Sequence, residues 1–170
     1  VNTLVDKGYV VSVGKGSSTE EGGKRPELFT FNVTCAFTIA LQNRHGNLRG
    51  VLMDLASHVL FENQCECSPD IGYEDYVSAS AGLIKGLLAE SNISPEKVCG
   101  IVLGCDGIVD PVRGILRFSI HRKWENNMPI AADLKSQLGL DIPVFVDNSC
   151  RFYGYAELEK KETYASGSSI

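Results

Sequence analysis

No apolar run in this 170-residue chain approaches the roughly 20 residues that a membrane-spanning helix requires. Residues 1–9 also lack the charged-then-apolar layout of a secretory leader. Both absences predict a cytoplasmic protein with no membrane partner. A cationic surplus is missing too. The 16 Lys and Arg stand against 21 Asp and Glu, a net charge of −5, which argues against nucleic-acid binding over the whole surface but is compatible with a local basic patch. Metal-site spacing is poor: the six cysteines include Cys65-Glu66-Cys67 but no second pair at zinc spacing, and structural zinc wants four ligands. No metal ligand is assigned. The cysteines read as reduced thiols, with Cys35, Cys99 and Cys105 filling the core and Cys65 and Cys67 in a polar loop before Pro69. His45, His58 and His121 form no ligand pair, and no third element orients one of them as a base. Loop or surface positions are expected for all three, with His121 near Trp124.

The composition that remains, 44% hydrophobic and 22% charged, suits one or two globular units. Two strand-to-loop elements dominate the second half. The apolar run 98–104 breaks into Gly104-Cys105-Asp106-Gly107 and then Asp110-Pro111, where backbone can approach a ligand without an intruding side chain. The run Val144-Phe145-Val146 ends in Asp147-Asn148-Ser149 ahead of a helical pattern, which predicts a parallel strand feeding a helix with Asn148 as its N-cap. Open α/β sheets bind ligands at such strand ends. Upstream, 37–41 and 48–53 read as paired strands about the turn Asn43-Arg44-His45-Gly46. Helical spacing of Tyr76, Val77, Leu83, Ile84, Leu87 and Leu88 predicts a helix over 73–90, and Ser94-Pro95 marks a turn.

The pocket elements resemble the ROK family of repressors and sugar kinases, whose members share an actin-like ATPase fold. Gly104-Cys105-Asp106-Gly107-Ile108-Val109-Asp110 matches the family's Gly-x-Pro-Gly-ϕ-ϕ-Asp loop except that Asp106 replaces the proline. Trp124, Asn126, Asn127 and Pro129 follow, then a helix over 134–138, the strand 144–148, and Ala156-Glu157. The family's kinases carry Asn-Asp here and use that aspartate as general base on the sugar hydroxyl. In this chain Ser149 follows Asn148. A neutral hydroxyl cannot accept that proton at neutral pH, and general-base catalysis is worth roughly two to four orders of magnitude in rate. The resemblance therefore implies sugar recognition without efficient phosphoryl transfer, with Gly107, Asp110, Asn148 and Ser149 as ligand-binding candidates, no catalytic residue and no cofactor. The plain alternative is that Asn148 only caps its helix.

The N-terminal stretch has its own pattern. A helix end, a stop at Gly8, the alternation Val11, Val13, a glycine-rich charged stretch over 14–25 and the run 28–31 read as a β-hairpin with a long tip. With Gly22-Gly23-Lys24-Arg25-Pro26 this resembles the wing of a winged helix-turn-helix domain in ROK repressors. Lys15, Lys24 and Arg25 would then contact DNA phosphates. Against this, Glu20 and Glu21 offset two of the cations, as in an ordinary solvated loop.

The expected architecture is thus α/β: one lobe of an actin-like ATPase fold preceded by a wing hairpin. Residues 1–32 end a winged-helix domain, 33–160 form the N-terminal lobe of a sugar-binding domain, and 161–170 resemble the segment after the family's zinc motif. The family's phosphate-handling Asp-x-Gly is absent after Phe31-Asn32, which predicts that its strand is missing or halved. The lobe with the family's Glu-x-Gly-His ligands and zinc cysteines is also absent. The implied function is a sugar-responsive transcriptional regulator that binds a sugar or sugar phosphate and DNA and assembles as a homodimer or higher homo-oligomer. A ROK sugar kinase using ATP and magnesium is the alternative, and an interaction domain without ligand the third.

Overall fold

A computed structural model describes residues 1–16, 25–44 and 46–166. Helix α1 (Asn2–Asp6) stops at Lys7, and Gly8 follows at φ 74. There the amides of Gly8 and Tyr9 donate to the carbonyls of Val5 and Leu4, satisfying the helix's last acceptors as a left-handed C′ residue does. Strands β1 (Val10–Lys15) and β2 (Glu27–Phe31) then pair antiparallel as the predicted hairpin. Residues 17–24, with the expected phosphate contact Lys24, lie outside the described residues, as does His45.

The lobe is built on a five-stranded sheet. Strands β3 (Phe37–Arg44), β4 (Asn47–Asp54) and β5 (Val59–Glu66) form an antiparallel meander. Helix α2 (Tyr73–Ser91) and a 3-10 turn at Pro95–Lys97 lead into β6 (Val98–Cys105). Strands β7 (Gly107–Asp110) and β8 (Ile115–Ser119) make a separate hairpin. Helix α3 (Ile130–Leu138), β9 (Val144–Asn148) and α4 (Ser149–Ser166) complete the chain. The order in the sheet is β5-β4-β3-β6-β9, with β6 and β9 parallel to β3.

One face of this sheet supplies the core. Alternate residues Phe37, Ile39 and Leu41 of β3, Leu48 and Leu52 of β4, and Ile101 and Leu103 of β6 are buried, as period-2 strands require. Against them α2 buries Tyr76, Val77, Ala81, Leu83, Ile84, Leu87 and Leu88, while α3 buries Ile130, Leu134 and Leu138. The side chains of Leu83 and Leu87 lie 3.0–3.1 Å from where a Cβ on Gly50 would stand, so α2 sits close on β4.

Several expectations change here. The strand thought missing or halved is whole: β3 has eight residues at the centre of the sheet, and what it lacks is Asp-x-Gly, its end reading Gln42-Asn43-Arg44. Cys65 lies within β5, and Cys67 is completely buried rather than in a polar loop. Cys99, expected in the core, is exposed, its thiol donating to the Phe37 carbonyl at 3.2 Å. The loop 104–110 is largely strand, because β7 finds a partner in β8. Helix α3 starts at Ile130, four residues earlier than expected. Strand β2 ends at Phe31, one residue before the boundary expected at 32, and residue 160 lies inside α4.

Leu87→Ala tests the α2 interface. Truncating a wholly buried leucine leaves a cavity beside β4 and should lower unfolding free energy by about 2–5 kcal/mol, read by chemical denaturation.

Candidate functional site

The parallel strands β3, β6 and β9 end at the same edge of the sheet, and chemistry collects there. Gly104 pairs with Gln42 on one side and Asp147 on the other. Beyond it β6 continues into Cys105-Asp106 and the hairpin β7-β8 folds back across the edge. Gly107 is where that fold closes: a Cβ there would lie 2.1 Å from the Phe118 carbonyl oxygen, so only glycine fits.

Asn148 joins the two halves of this edge. Its Nδ2 donates to the Gly107 carbonyl at 2.6 Å, and its Oδ1 accepts from the Cys150 amide at 2.8 Å. The second bond is the predicted N-cap of α4. Both functional groups of Asn148 therefore serve the fold, leaving one N–H and one lone pair of Oδ1 for anything else. Ser149 beside it is buried, and its Oγ has no hydrogen-bond partner among the described residues. This hydroxyl would stand 3.1 Å from a Cβ on Gly104. Gly107, Asn148 and Ser149 thus converge. Asp110 does not join them. It sits at the far end of β7, where the Arg117 guanidinium donates to it at 2.7 Å and the Arg113 amide at 3.1 Å. The hydrogen bond from Arg117 is the main reason its carboxyl is held below the usual carboxylate range.

Two hollows meet at Gly104, which lines both. On the α4 side a groove of about 510 Å³ runs past Ala40, Gln42, Val102, Ser149, Phe152 and Tyr153. On the α2 side a cavity of about 160 Å³ is walled by Asn43, Cys67, Tyr76, Cys105, Asp106, Ser119, His121, Arg122 and Trp124. The Arg122 guanidinium lies 4.9 Å from the ring centroids of both Tyr76 and Trp124, a cation–π arrangement. Its two amino groups donate to the Ser68 carbonyl at 3.1 Å and to Cys67 Sγ at 3.4 Å. Trp124 is fixed in turn by its indole N–H on the Ile71 carbonyl at 2.9 Å. Burial pushes the Cys105 thiol up to about 12, so it stays protonated at neutral pH. Sequence reasoning placed His121 near Trp124 but missed Asn43, Tyr76 and Arg122 as a group, since they come from three separate segments. Among the described residues no cluster of three or more His, Cys, Asp or Glu suits a metal ion, and no helix is long and apolar enough to cross a membrane.

This arrangement is one lobe of an actin-like ATPase fold, and comparisons place it more narrowly. No protein-family model matches the chain. It is 26% identical over 162 residues, 92% of its length, to the xylose repressor of Bacillus spizizenii. It is also 26% identical over 145 residues to the xylose repressor of Caldicellulosiruptor bescii. It spans 39% and 35% of those two proteins. In structure it is similar to a ROK family transcriptional regulator homologous to the Escherichia coli Mlc protein, with TM-score 0.64, 18% identity, and coverage of 86% of this chain and 36% of the other. A ROK family glucokinase from Streptomyces griseus gives TM-score 0.56 at 20% identity over 66% of this chain and 33% of that one. The chain thus resembles ROK repressors in sequence and shares the fold of ROK regulators and kinases.

Two neighbouring substitutions separate structural from spare polar groups. Asn148→Ala removes a cap and the tie to Gly107 and should cost about 1–3 kcal/mol of stability. Ser149→Ala removes a hydroxyl with no partner among the described residues, so its thermal midpoint should be unchanged or slightly higher.

Proposed function

We propose that this chain is the wing and effector-sensing lobe of a sugar-responsive transcriptional regulator of the ROK type, working in the cytoplasm without catalytic turnover. The observation that carries this reading is Ser149. At the position where the family's kinases hold a general base, a buried hydroxyl with no partner among the described residues faces the strand edge. It cannot take a proton from a sugar at neutral pH. The first strand of the sheet, ending Gln42-Asn43-Arg44, likewise offers no carboxylate for phosphate chemistry. Relatives named xylose repressors support the regulatory side and make xylose the first effector to test.

In this reading the sugar, or a sugar phosphate, is held at the ends of β6 and β9, framed by Gly107, Asn148 and Ser149, with Asp110 and its Arg117 partner bracing the hairpin beyond. DNA is met by the wing, where Lys15 and Arg25 flank the tip and Lys24 completes the basic set. Homodimers or higher homo-oligomers present paired wings. Binding acts by population shift: the sugar changes wing presentation only as far as it prefers one arrangement of the assembly over another.

The test has two arms. The chain incubated with ATP, magnesium and xylose or hexoses should show no phosphorylation above background; sustained turnover would restore the kinase alternative. In a protein carrying the whole winged-helix domain, Lys15→Ala with Arg25→Ala should weaken DNA binding and flatten the slope of log affinity against log salt by roughly one to two, with sugar affinity intact. DNA affinity indifferent to both the double variant and the sugar would sink the regulator.

A further inference from the structure

The sequence sets two cysteines about a single residue, Cys65-Glu66-Cys67, and the fold turns both to one face. Cys65 pairs with Leu48 of β4, which is wholly buried in the core beneath α2. Cys67 carries the ladder one step past β5, its amide donating to the Gly46 carbonyl at 2.7 Å. Residues two apart on a strand share a face. Both cysteines accordingly join the core, Cys67 sealed within it and Cys65 partly open to solvent, while Glu66 between them is exposed. Two steps of strand rise separate their Cα atoms by about 6.5 Å, inside the span of roughly 4.4–6.8 Å that a disulfide bridges.

A single buried cysteine is explained as a small apolar filler. Two on one face differ, because each is the other's reaction partner. A soft metal ion between them is disfavoured: the Arg122 guanidinium donates to Cys67 Sγ at 3.4 Å and would repel it, and two ligands fall short of the usual four. A disulfide carries no charge and meets neither objection. Cys65 is the sulfur that solvent reaches. Burial, with Cys67 adding to it, holds the Cys65 thiol above its ordinary value, so thiolate is scarce at neutral pH and the pair stays reduced until a strong oxidant arrives. Cys67 is the sulfur tied to the structure around it. Through Arg122 it meets the rings of Tyr76 and Trp124, whose centroids lie 4.9 Å from the guanidinium.

We propose that Cys65 and Cys67 form a reversible dithiol–disulfide pair, whose oxidation by a peroxide loosens Arg122 from Tyr76 and Trp124. The Cys65 thiolate attacks one peroxide oxygen, the O–O bond breaks and hydroxide leaves, which puts a sulfenic acid on Cys65. The Cys67 sulfur then attacks the Cys65 sulfur, the S–O bond breaks, and water leaves with the Cys67 proton. The hydroxide takes up the proton first lost from Cys65. Two thiols and one hydrogen peroxide thus give one disulfide and two waters, with two electrons passing from sulfur to oxygen. The bridge draws Cys67 Sγ toward Cys65 and away from the guanidinium. Its span lies near the long end of what a disulfide tolerates, which makes it easily reduced. The inference does not rest on the sugar, the wing or DNA.

Cleavage after Lys and Arg releases residues 50–85 as one peptide that holds Cys65 and Cys67 and no other cysteine, so the bond is read in the full chain without a variant. After the folded chain is treated with hydrogen peroxide, this peptide should weigh less by the two hydrogens lost, and dithiothreitol should restore them. Trp124 is the chain's one tryptophan. Its emission should shift with the same time course and return on reduction. Cys65→Ser should abolish both changes, and Cys67→Ser should leave a sulfenic acid on Cys65 that dimedone traps. Should Cys67→Ser fail to fold, the parent peptide and Cys65→Ser decide. A 50–85 peptide that stays reduced while the exposed Cys99 and Cys150 oxidise would overturn the proposal. So would a bond from Cys65 or Cys67 to another cysteine, or one that forms only in denaturant. A bond that forms with Trp124 emission unmoved would overturn the link to Arg122.

Discussion

The strand edge depends on a single side chain. Asn148 accepts from the first turn of α4 and donates to the Gly107 carbonyl, so one amide holds together the end of β9, the start of α4 and the base of the β7-β8 hairpin. Capping alone would be served as well by Ser or Asp. The donor half is what singles out asparagine, because a carboxylate facing the Gly107 carbonyl would repel it. With β9 and the hairpin tied, Ser149 is held under Gly104 and the segment from Ser119 to Trp124 is carried across the α2 side. The Ser119 hydroxyl accepts the Arg122 amide at 3.2 Å, and the Ile120 amide donates to the Asp106 carbonyl, so the wall of the cavity follows from the same closure.

The same geometry explains why glycine and aromatic residues alternate here. Gly107 lets the hairpin lie against its own backbone, and Gly104 lets the Ser149 hydroxyl approach the sheet. On the α2 side large rings close the wall. Tyr73 and Tyr76 meet Trp124 at centroid distances of 5.4 and 5.0 Å, within the range where aromatic pairs attract beyond their buried area. Arg122 completes the stack. The result is a rigid wall around a small space, and rigidity is what a binding site needs if little ordering is to be lost when a ligand enters.

Much of this was legible in the sequence because local signals agreed. The α2 stripe from Tyr76 to Leu88, the stop at Gly8, the cap at Asn148 and the apolar runs of β6 and β9 each follow from residue spacing and each appears in the structure. What escaped notice lacked such agreement. In β5, Cys65 stands between Gln64 and Glu66 and so read as loop, although β4 pairs with it. The β7-β8 pair was hidden by Asp110-Pro111 and Gly114, which look like loop when the return strand is not recognised. Cys67 looked polar because Glu66 and Ser68 flank it, yet it is sealed under Arg122. The cavity could not be read at all: Asn43, Tyr76, Asp106 and Arg122 are brought together by topology, and no spacing encodes that.

The lobe is also joined to the hairpin at its N-terminus in a way that gives position meaning. Asn32 donates through its amide nitrogen to the Gly8 carbonyl at 2.8 Å, and its Oδ1 accepts the Thr34 hydroxyl at 2.9 Å. This fixes where the chain leaves β2. At the next residue, the Val33 carbonyl accepts the Leu55 amide at the β4-β5 turn. That turn is itself held by Asp54, a buried carboxylate that accepts the amides of Ala56 and His58 and meets His58 Nδ1 at 2.9 Å. Strands β3 and β4 run from this turn to Asn43 and Gly46 at the cavity, eight residues each, a span of roughly 25 Å at the usual strand rise. The link from the strand edge to the hairpin therefore runs along paired strands and is closed by the Asp54 and Asn32 side chains.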